Sequence, residues 1–316
     1  MTDALTRRTA LGLLTAAAAA APSVARAQSS PTIRIAAALS DPYAQPYYGL
    51  DSGMFKQAGL DVEVLTFSNA GQIIQACAGG SVDIGLADMI QIANAVERGL
   101  PYRFFAGAGL YTSSAPTTVL CVAKDSPVKT AKDLNGQTVA VVALSSISSL
   151  SVQQWLKANG ADISTIKIYE LPFAVMAPSL QHGTVAAAFL AEPFLSTAKD
   201  RVRWLGKAYD AIAKEFYIAA WFASKDWLAA NPAVAKRLQT AVYDVARWSN
   251  ANHDQTAVIL SKYSKLGVDR IDAMTRAVFT TSLSPNLMQP VLDVAARYNL
   301  IKQPITARML MASAAS

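Results

Sequence analysis

From Thr32 onward the chain alternates short apolar runs of strand character with longer stretches of helical periodicity. It does so twice before turning almost purely helical. Strands that alternate with helices build a parallel sheet with crossover helices, which narrows the fold to the α/β class. In the first block Ile33–Ala37, Val62–Phe67, Val82–Leu86 and Tyr102–Ala108 read as strands, and Tyr47–Ala58 (closed by Gly59), Gly71–Ala78 and Met89–Arg98 as helices. The second block has strands at Thr118–Ala123, Thr138–Leu144, Lys167–Leu171 and Val185–Leu190, with helices at Lys129–Leu134, Ser149–Asn159 and Met176–His182. After a strand at Phe216–Ala223 the pattern predicts helices at Lys225–Ala230, Pro232–Asn252, Asp254–Lys265, Asp269–Phe279 and Pro285–Tyr298, with Asn231 as N-cap ahead of Pro232. Two such blocks imply two lobes. One comprises residues 118–215, and the other is discontinuous, assembled from 31–117 plus 216–316, with a helical C-terminal part. Two crossing segments between them make a hinge beside an interlobe cleft.

The first 27 residues read as a cleaved export signal. Arg7-Arg8 precedes an apolar run from Ala10 to Ala21, and Ala25-Arg26-Ala27 supplies small residues around a cleavage point. Thr6–Leu11 is similar to a twin-arginine signal, although Ala10 stands where Phe is usual and no later Lys follows, so the general secretory route stays open. The expected location is periplasmic. Removing residues 1–27, which hold three Arg and one Asp, leaves 289 of the 316 residues and takes the net charge from +6 to +4. That mild balance, without a run of Lys or Arg, gives no footprint for nucleic acid. Nor does any apolar stretch beyond the signal reach the roughly 18 residues that span a membrane. Cys77 and Cys121 are expected as two separate buried thiols, and with only His182 and His253 as histidines no metal site or cofactor is expected.

Ligands of open α/β sheets bind outside the carboxyl ends of the strands. Those ends nominate Ser40, Asp41 and Tyr43 after the first strand, Asn69 and Gly71 after the second, and Asp88 and Met89 after the third. Tyr111 follows the fourth, Ser145, Ser146 and Ser148 lie at a helix start in the second block, and Glu192 follows its last strand. Four serines between Ser145 and Ser149 exceed what capping requires, and an uncapped helix N-terminus attracts an anionic or carbonyl oxygen. Asp41, Asp88 and Glu192 favour N–H groups or a cationic part instead, while Tyr43, Tyr47, Tyr48 and Tyr111 could stack on a ring. The expected ligand is therefore a small organic compound with both an anionic or carbonyl oxygen and an N–H or aromatic part. A plain sulfonate or nitrate is the runner-up.

Several segments resemble the solute-binding proteins of ABC transporters, in the branch that holds thiamine-pyrimidine-precursor, alkanesulfonate, taurine and nitrate binders. They are Gly53–Glu63, Ala78–Gly85, Lys124–Val128, Lys132–Gly136, Glu192-Pro193-Phe194 and Asn299–Lys302, in the family's order. The resemblance implies a two-lobed periplasmic-binding-protein fold, a monomer that closes on a small organic molecule and delivers it to the membrane permease of an importer. It also implies that Ser40, Asn69, Asp88, Ser145, Ser146 and Glu192 contact that molecule, with the choice among the serines open. A sensor or adaptor lobe would share the same cleft. An enzyme related to those that make the thiamine pyrimidine is disfavoured, since the chain has no Cys cluster and only a Cys121–His182 pair could serve as a nucleophile.

Overall fold

The computed structural model describes residues 31–312. The export signal assigned to residues 1–27 lies outside the described residues. Two five-stranded sheets organise the chain. The first has the order β2 (Val62–Phe67), β1 (Ile33–Ala38), β3 (Ile84–Ala87), β12 (Ala220–Ser224), β4 (Tyr102–Gly107), with β1, β2 and β3 parallel and β12 antiparallel to both neighbours. The second has the order β10 (Val202–Gly206), β6 (Thr118–Ala123), β9 (Ala187–Ala191), β7 (Thr138–Val141), β8 (Lys167–Glu170), with β7, β8 and β9 parallel. A small third sheet joins β5 (Gly109–Thr112) to β11 (Glu215–Tyr217) and β13 (Val278–Phe279). The inner strands β1, β3, β12 and β9 are buried almost throughout, as expected where helices cover both faces.

In the first lobe α1 (Gln45–Asp51) and α2 (Met54–Gln57) follow β1, α3 (Ala70–Ala78) follows β2, and α4 (Met89–Glu97) follows β3. In the second lobe α5 (Ile147–Ala158) follows β7, α6 (Phe173–Gln181) follows β8, and α7 (Phe194–Thr197) follows β9. The helical end comprises α8 (Lys225–Ala230), α9 (Pro232–Ala251), α10 (His253–Ser264), α11 (Val268–Asp272), α12 (Pro285–Arg297) and α13 (Ala307–Leu310). This is the two-lobed α/β fold expected from the alternating pattern.

Four local expectations are corrected. The single helix over Tyr47–Ala58 is two, because Gly53 takes φ +77° and turns the chain between α1 and α2. The helix over Asp269–Phe279 stops at Asp272, and Val278–Phe279 instead pairs with β5, a tertiary pairing that overrides local periodicity. The strand over Phe216–Ala223 divides, with Glu215–Tyr217 in the small sheet and Ala220–Ser224 in the large one. Asn231 stands at the N-cap position of α9, yet its Nδ2 donates to the Trp227 carbonyl at 3.0 Å instead of its oxygen capping the helix. Cys77 and Cys121 are both free thiols, the first half-buried and the second buried. Among the described residues no helix is long and apolar enough to cross a membrane.

The turn between α1 and α2 carries a stability prediction. A Cβ on Gly49 would lie 2.4–2.8 Å from three atoms of the Phe55 ring, which folds back onto α1 and is fully buried. Alanine gains about 1 kcal/mol of helix propensity over glycine. Overpacking a rigid ring costs about 1–3 kcal/mol and outweighs that gain. Gly49→Ala should therefore lower the denaturation midpoint in urea, and an increased midpoint would refute the packing argument.

Candidate functional site

A cavity of about 50 Å³ lies where the carboxyl ends of both large sheets meet. Its walls begin with the residues that end or immediately follow the strands: Ala38 at the end of β1, Ser68 after β2, Asp88 after β3, Val142 after β7 and Ala191 at the end of β9. Thr118, the first residue of antiparallel β6, completes the ring. The strand-end rule is thus met by both lobes at once. A volume of this size holds a few water molecules or a small solute.

Three helices start at this cavity. Asn69 caps α3, its Oδ1 accepting from the Gln72 N–H at 3.1 Å. Asp88 caps α4, its Oδ1 accepting from Ile90 at 2.9 Å and Gln91 at 3.0 Å. Ser146 occupies the N-cap position of α5 without capping it. Its hydroxyl turns back to donate to the Ala143 carbonyl at 2.7 Å and pairs with the Ser148 hydroxyl at 2.7 Å. None of the lining residues is Lys, Arg or His. The positive potential at the cavity therefore comes from helix ends, which carry about half an elementary charge each.

Asp88 also reaches across the cleft: the Ile147 N–H at the start of α5 donates to its Oδ2 at 3.3 Å. The first lobe thus places its own carboxylate on an anion-attracting helix end of the second. Burial pushes this carboxyl up to about 7, against the pull of the three backbone donors. Other bonds cross nearby. The Asn69 amide donates to Glu170 at 3.4 Å, whose other oxygen accepts from the Leu144 N–H at 3.1 Å. The Asp41 N–H donates to the Glu192 carbonyl at 3.0 Å, and Arg270 to the Thr197 carbonyl at 3.0 Å.

Of the residues nominated from the sequence, Ser40, Tyr43, Asn69, Asp88, Ser146 and Ser148 line this cavity. Asp41, Gly71, Met89, Tyr111, Ser145 and Glu192 are not among its walls. Asp41 is fully buried, where it accepts from the Tyr48 hydroxyl at 2.7 Å, the Ala277 N–H at 2.6 Å and the Arg276 guanidinium at 3.4 Å. Glu192 spends both oxygens on Ser196, accepting from its N–H at 2.9 Å and its hydroxyl at 2.8 Å, and burial pushes its carboxyl up to about 7. Tyr111 donates to Asp210 at 2.7 Å and packs edge-on against Tyr209, 5.1 Å between ring centroids. Gly71 and Met89 lie within the first turns of α3 and α4, and Ser145 is exposed. All three acids that argued for a cationic ligand are thereby hydrogen-bonded by the protein itself, and of them only Asp88 reaches the cavity wall.

The sequence reading missed Gln91, Thr118, Phe173 and Tyr209, which the structure adds to the walls. Tyr209, in a short 3₁₀ turn after β10, presents the aromatic ring to the cavity that Tyr111 was expected to supply. Cys121 is buried with its thiol pushed up to about 12 by burial, His182 is exposed, and neither lines the cavity. Among the described residues no cluster of His, Cys, Asp or Glu fits a metal ion.

The sequence model of a family described as NMT1/THI5 like matches residues 42–256. No curated protein matches by sequence. Among solved structures, the periplasmic aliphatic sulphonate binding protein SsuA of Escherichia coli shares 20% identity, with a TM-score of 0.71 over 90% of this chain and 93% of that one. The periplasmic nitrate-binding protein NrtA of Synechocystis PCC 6803 shares 16% identity, with a TM-score of 0.74 over 88% of this chain and 83% of that one. The desulfurization enzyme DSZB shares 14% identity, with a TM-score of 0.66 over 89% of this chain and 96% of that one. At these identities the likeness is one of fold.

Proposed function

The chain belongs to the NMT1/THI5-like family, and from that premise we propose that it is a periplasmic solute-binding protein of an ABC importer. It closes its lobes over a small organic ligand and delivers it, as a monomer, to a membrane permease. The observation that carries this reading is the cavity between the lobes, bounded by the starts of α3, α4 and α5 and lined with hydroxyl and amide groups. An anionic or carbonyl oxygen of the ligand would sit against the N-termini of α3 and α5, where backbone N–H groups are available. An N–H or aromatic part would face Asp88, Tyr43 and Tyr209. In this reading the lobes are 31–117 plus 216–316 and 118–215, residues 1–27 are the export signal, and the hinge lies where the chain passes between lobes. Ligand contacts made by both lobes would stabilise the closed form only when ligand is present. With neither Cys nor His at the cavity, we read the protein as a binder and not as an enzyme, despite the shared fold of the desulfurization enzyme.

A thermal-shift screen of the chain from Gln28 onward tests this, using sulfonates, nitrate, aromatic carboxylates, pyrimidines and amines. A ligand at a hundred times its dissociation constant adds about 2.7 kcal/mol to stability. That corresponds to a melting temperature raised by about 5–10 °C for a chain of this size. Small-angle scattering with the strongest hit should show contraction. A hit that leaves the solution shape unchanged would refute lobe closure, and turnover of the hit would refute the binder reading.

A further inference from the structure

We infer that Gln91 selects the ligand: its side-chain carbonyl accepts a hydrogen bond from an N–H or O–H that the ligand carries beside its anionic end. This rests on the solute-binding reading above and adds the residue that enforces the donor. Gln91 is the third residue of α4, lines the cavity, and is only 7% exposed. Its Oε1 is buried without a hydrogen-bond partner among the described residues. Leaving such an acceptor unpaired is costly, so the position calls for a donor from outside the protein.

The local alternative is not used. With Asp88 as N-cap, a glutamine at the third helical position can reach back to the N-cap N–H and close a capping box. Here Asp88 caps the helix, but the Gln91 carbonyl does not return the bond. Two hydroxyls of the cavity wall are committed elsewhere. The Ser146 hydroxyl donates to the Ala143 carbonyl, and the Ser146 and Ser148 hydroxyls bond each other. The other end of the amide faces the turn into α3, since a Cβ on Gly71 would lie 3.9 Å from Gln91 Nε2. Asp88 oxygens accept from Ile90, Gln91 and Ile147 and offer no donor when ionised. A ligand seated on the helix ends therefore meets one buried, unpaired acceptor. Anions whose remainder is pure hydrocarbon leave it unpaired, whereas amino- or hydroxy-bearing anions satisfy it.

Calorimetric titration at pH 8.5 with two isosteric pairs tests the assignment: sulfamate against methanesulfonate, and glycolate against propionate. At that pH Asp88, pushed up to about 7, is ionised and offers no donor, and the repulsion it adds falls equally on both members of each pair. The donor-bearing member should bind about 5- to 10-fold more tightly, the worth of one hydrogen bond in a dry site. Gln91→Met conserves volume and should erase the preference. Gln91→Glu keeps an acceptor and should preserve it while lowering overall anion affinity, and this variant decides should Gln91→Met fail to fold. Equal affinities within both pairs for the wild type, or a preference that survives in Gln91→Met, overturn the role of Gln91 and leave the solute-binding reading standing. Binding by no member of either pair overturns the anion seat and with it the role of Gln91, while the solute-binding reading is decided by the thermal-shift screen.

Discussion

Asp41→Ala should lower the melting temperature by about 10 °C while leaving solute affinity close to wild type. Asp41 is fully buried and sits at the centre of a network that ties the segment after β1 to the helical end of the chain. It accepts from Tyr48, Ala277 and Arg276, and Arg276 in turn donates to the Thr256 hydroxyl at 2.8 Å and the His253 carbonyl at 2.9 Å. Arg276 has a side chain only 6% exposed, so removing the carboxylate strands a largely buried guanidinium. Breaking a buried pair in this way costs about 3–5 kcal/mol, and each kcal/mol moves the midpoint by about 2–4 °C in a chain of this size. Asp41→Asn, which retains an acceptor for the Ala277 N–H, should cost less. Thermal denaturation followed by circular dichroism checks both variants. A fall of under 3 °C for Asp41→Ala, or a large loss of affinity with stability intact, would return Asp41 to the ligand site.

Affinity for an anionic solute should fall by about tenfold or more between pH 5.5 and pH 8.5, and Asp88→Asn should abolish that dependence. The Asp88 carboxyl is raised by burial to about 7, so below that pH it is neutral and above it carries a charge beside the start of α5. An anion bound nearby favours the protonated form further, so binding takes up a proton and is weakened as pH rises through 7. Two charges about 5 Å apart at an effective dielectric of 20 repel by about 3 kcal/mol, which sets the scale of the loss. Asparagine still caps α4, since its side-chain oxygen can accept from Ile90 and Gln91. The variant should therefore hold the low-pH affinity across the whole range. Calorimetry at the two pH values decides. An affinity that is flat in the wild type, or equally pH-dependent in Asp88→Asn, would show that the charge at residue 88 does not govern the site.

The ring of strand ends was legible from the sequence because it needs only the positions of apolar runs and the direction of a parallel sheet. Ser40, Asn69, Asp88 and Ser146 could be placed that way, and the structure brings them to one cavity. The roles of the remaining acids could not be read so simply. Asp41 is satisfied by Arg276, 235 residues away, and no local pattern announces that pairing. Glu192 is different: its partner Ser196 lies four residues on, a visible spacing that a strand-end reading passed over. Gln91 was hidden because polar residues in the first turn of a helix are usually solvent-facing or capping, and only the tertiary packing shows it buried and unpaired. Tyr209 lies outside any periodic segment, in a turn whose position depends on how β10 docks against β6. The helix expected over Asp269–Phe279 failed for the same reason, since Val278 and Phe279 are claimed by β5.

The small cavity has a kinetic consequence. Its walls come from both lobes, and hydrogen bonds from Ile147 to Asp88, Asn69 to Glu170 and Arg270 to Thr197 bridge the lobes. A solute held by walls from both lobes is released when these bridges break and the lobes part. Every ligand that fits then shares the same upper limit on its dissociation rate, namely the opening rate of the closed protein. Ligands that differ in affinity should differ chiefly in how rarely that opening occurs while they are inside, and weakening a bridging bond far from the ligand should shorten the residence time of all of them alike.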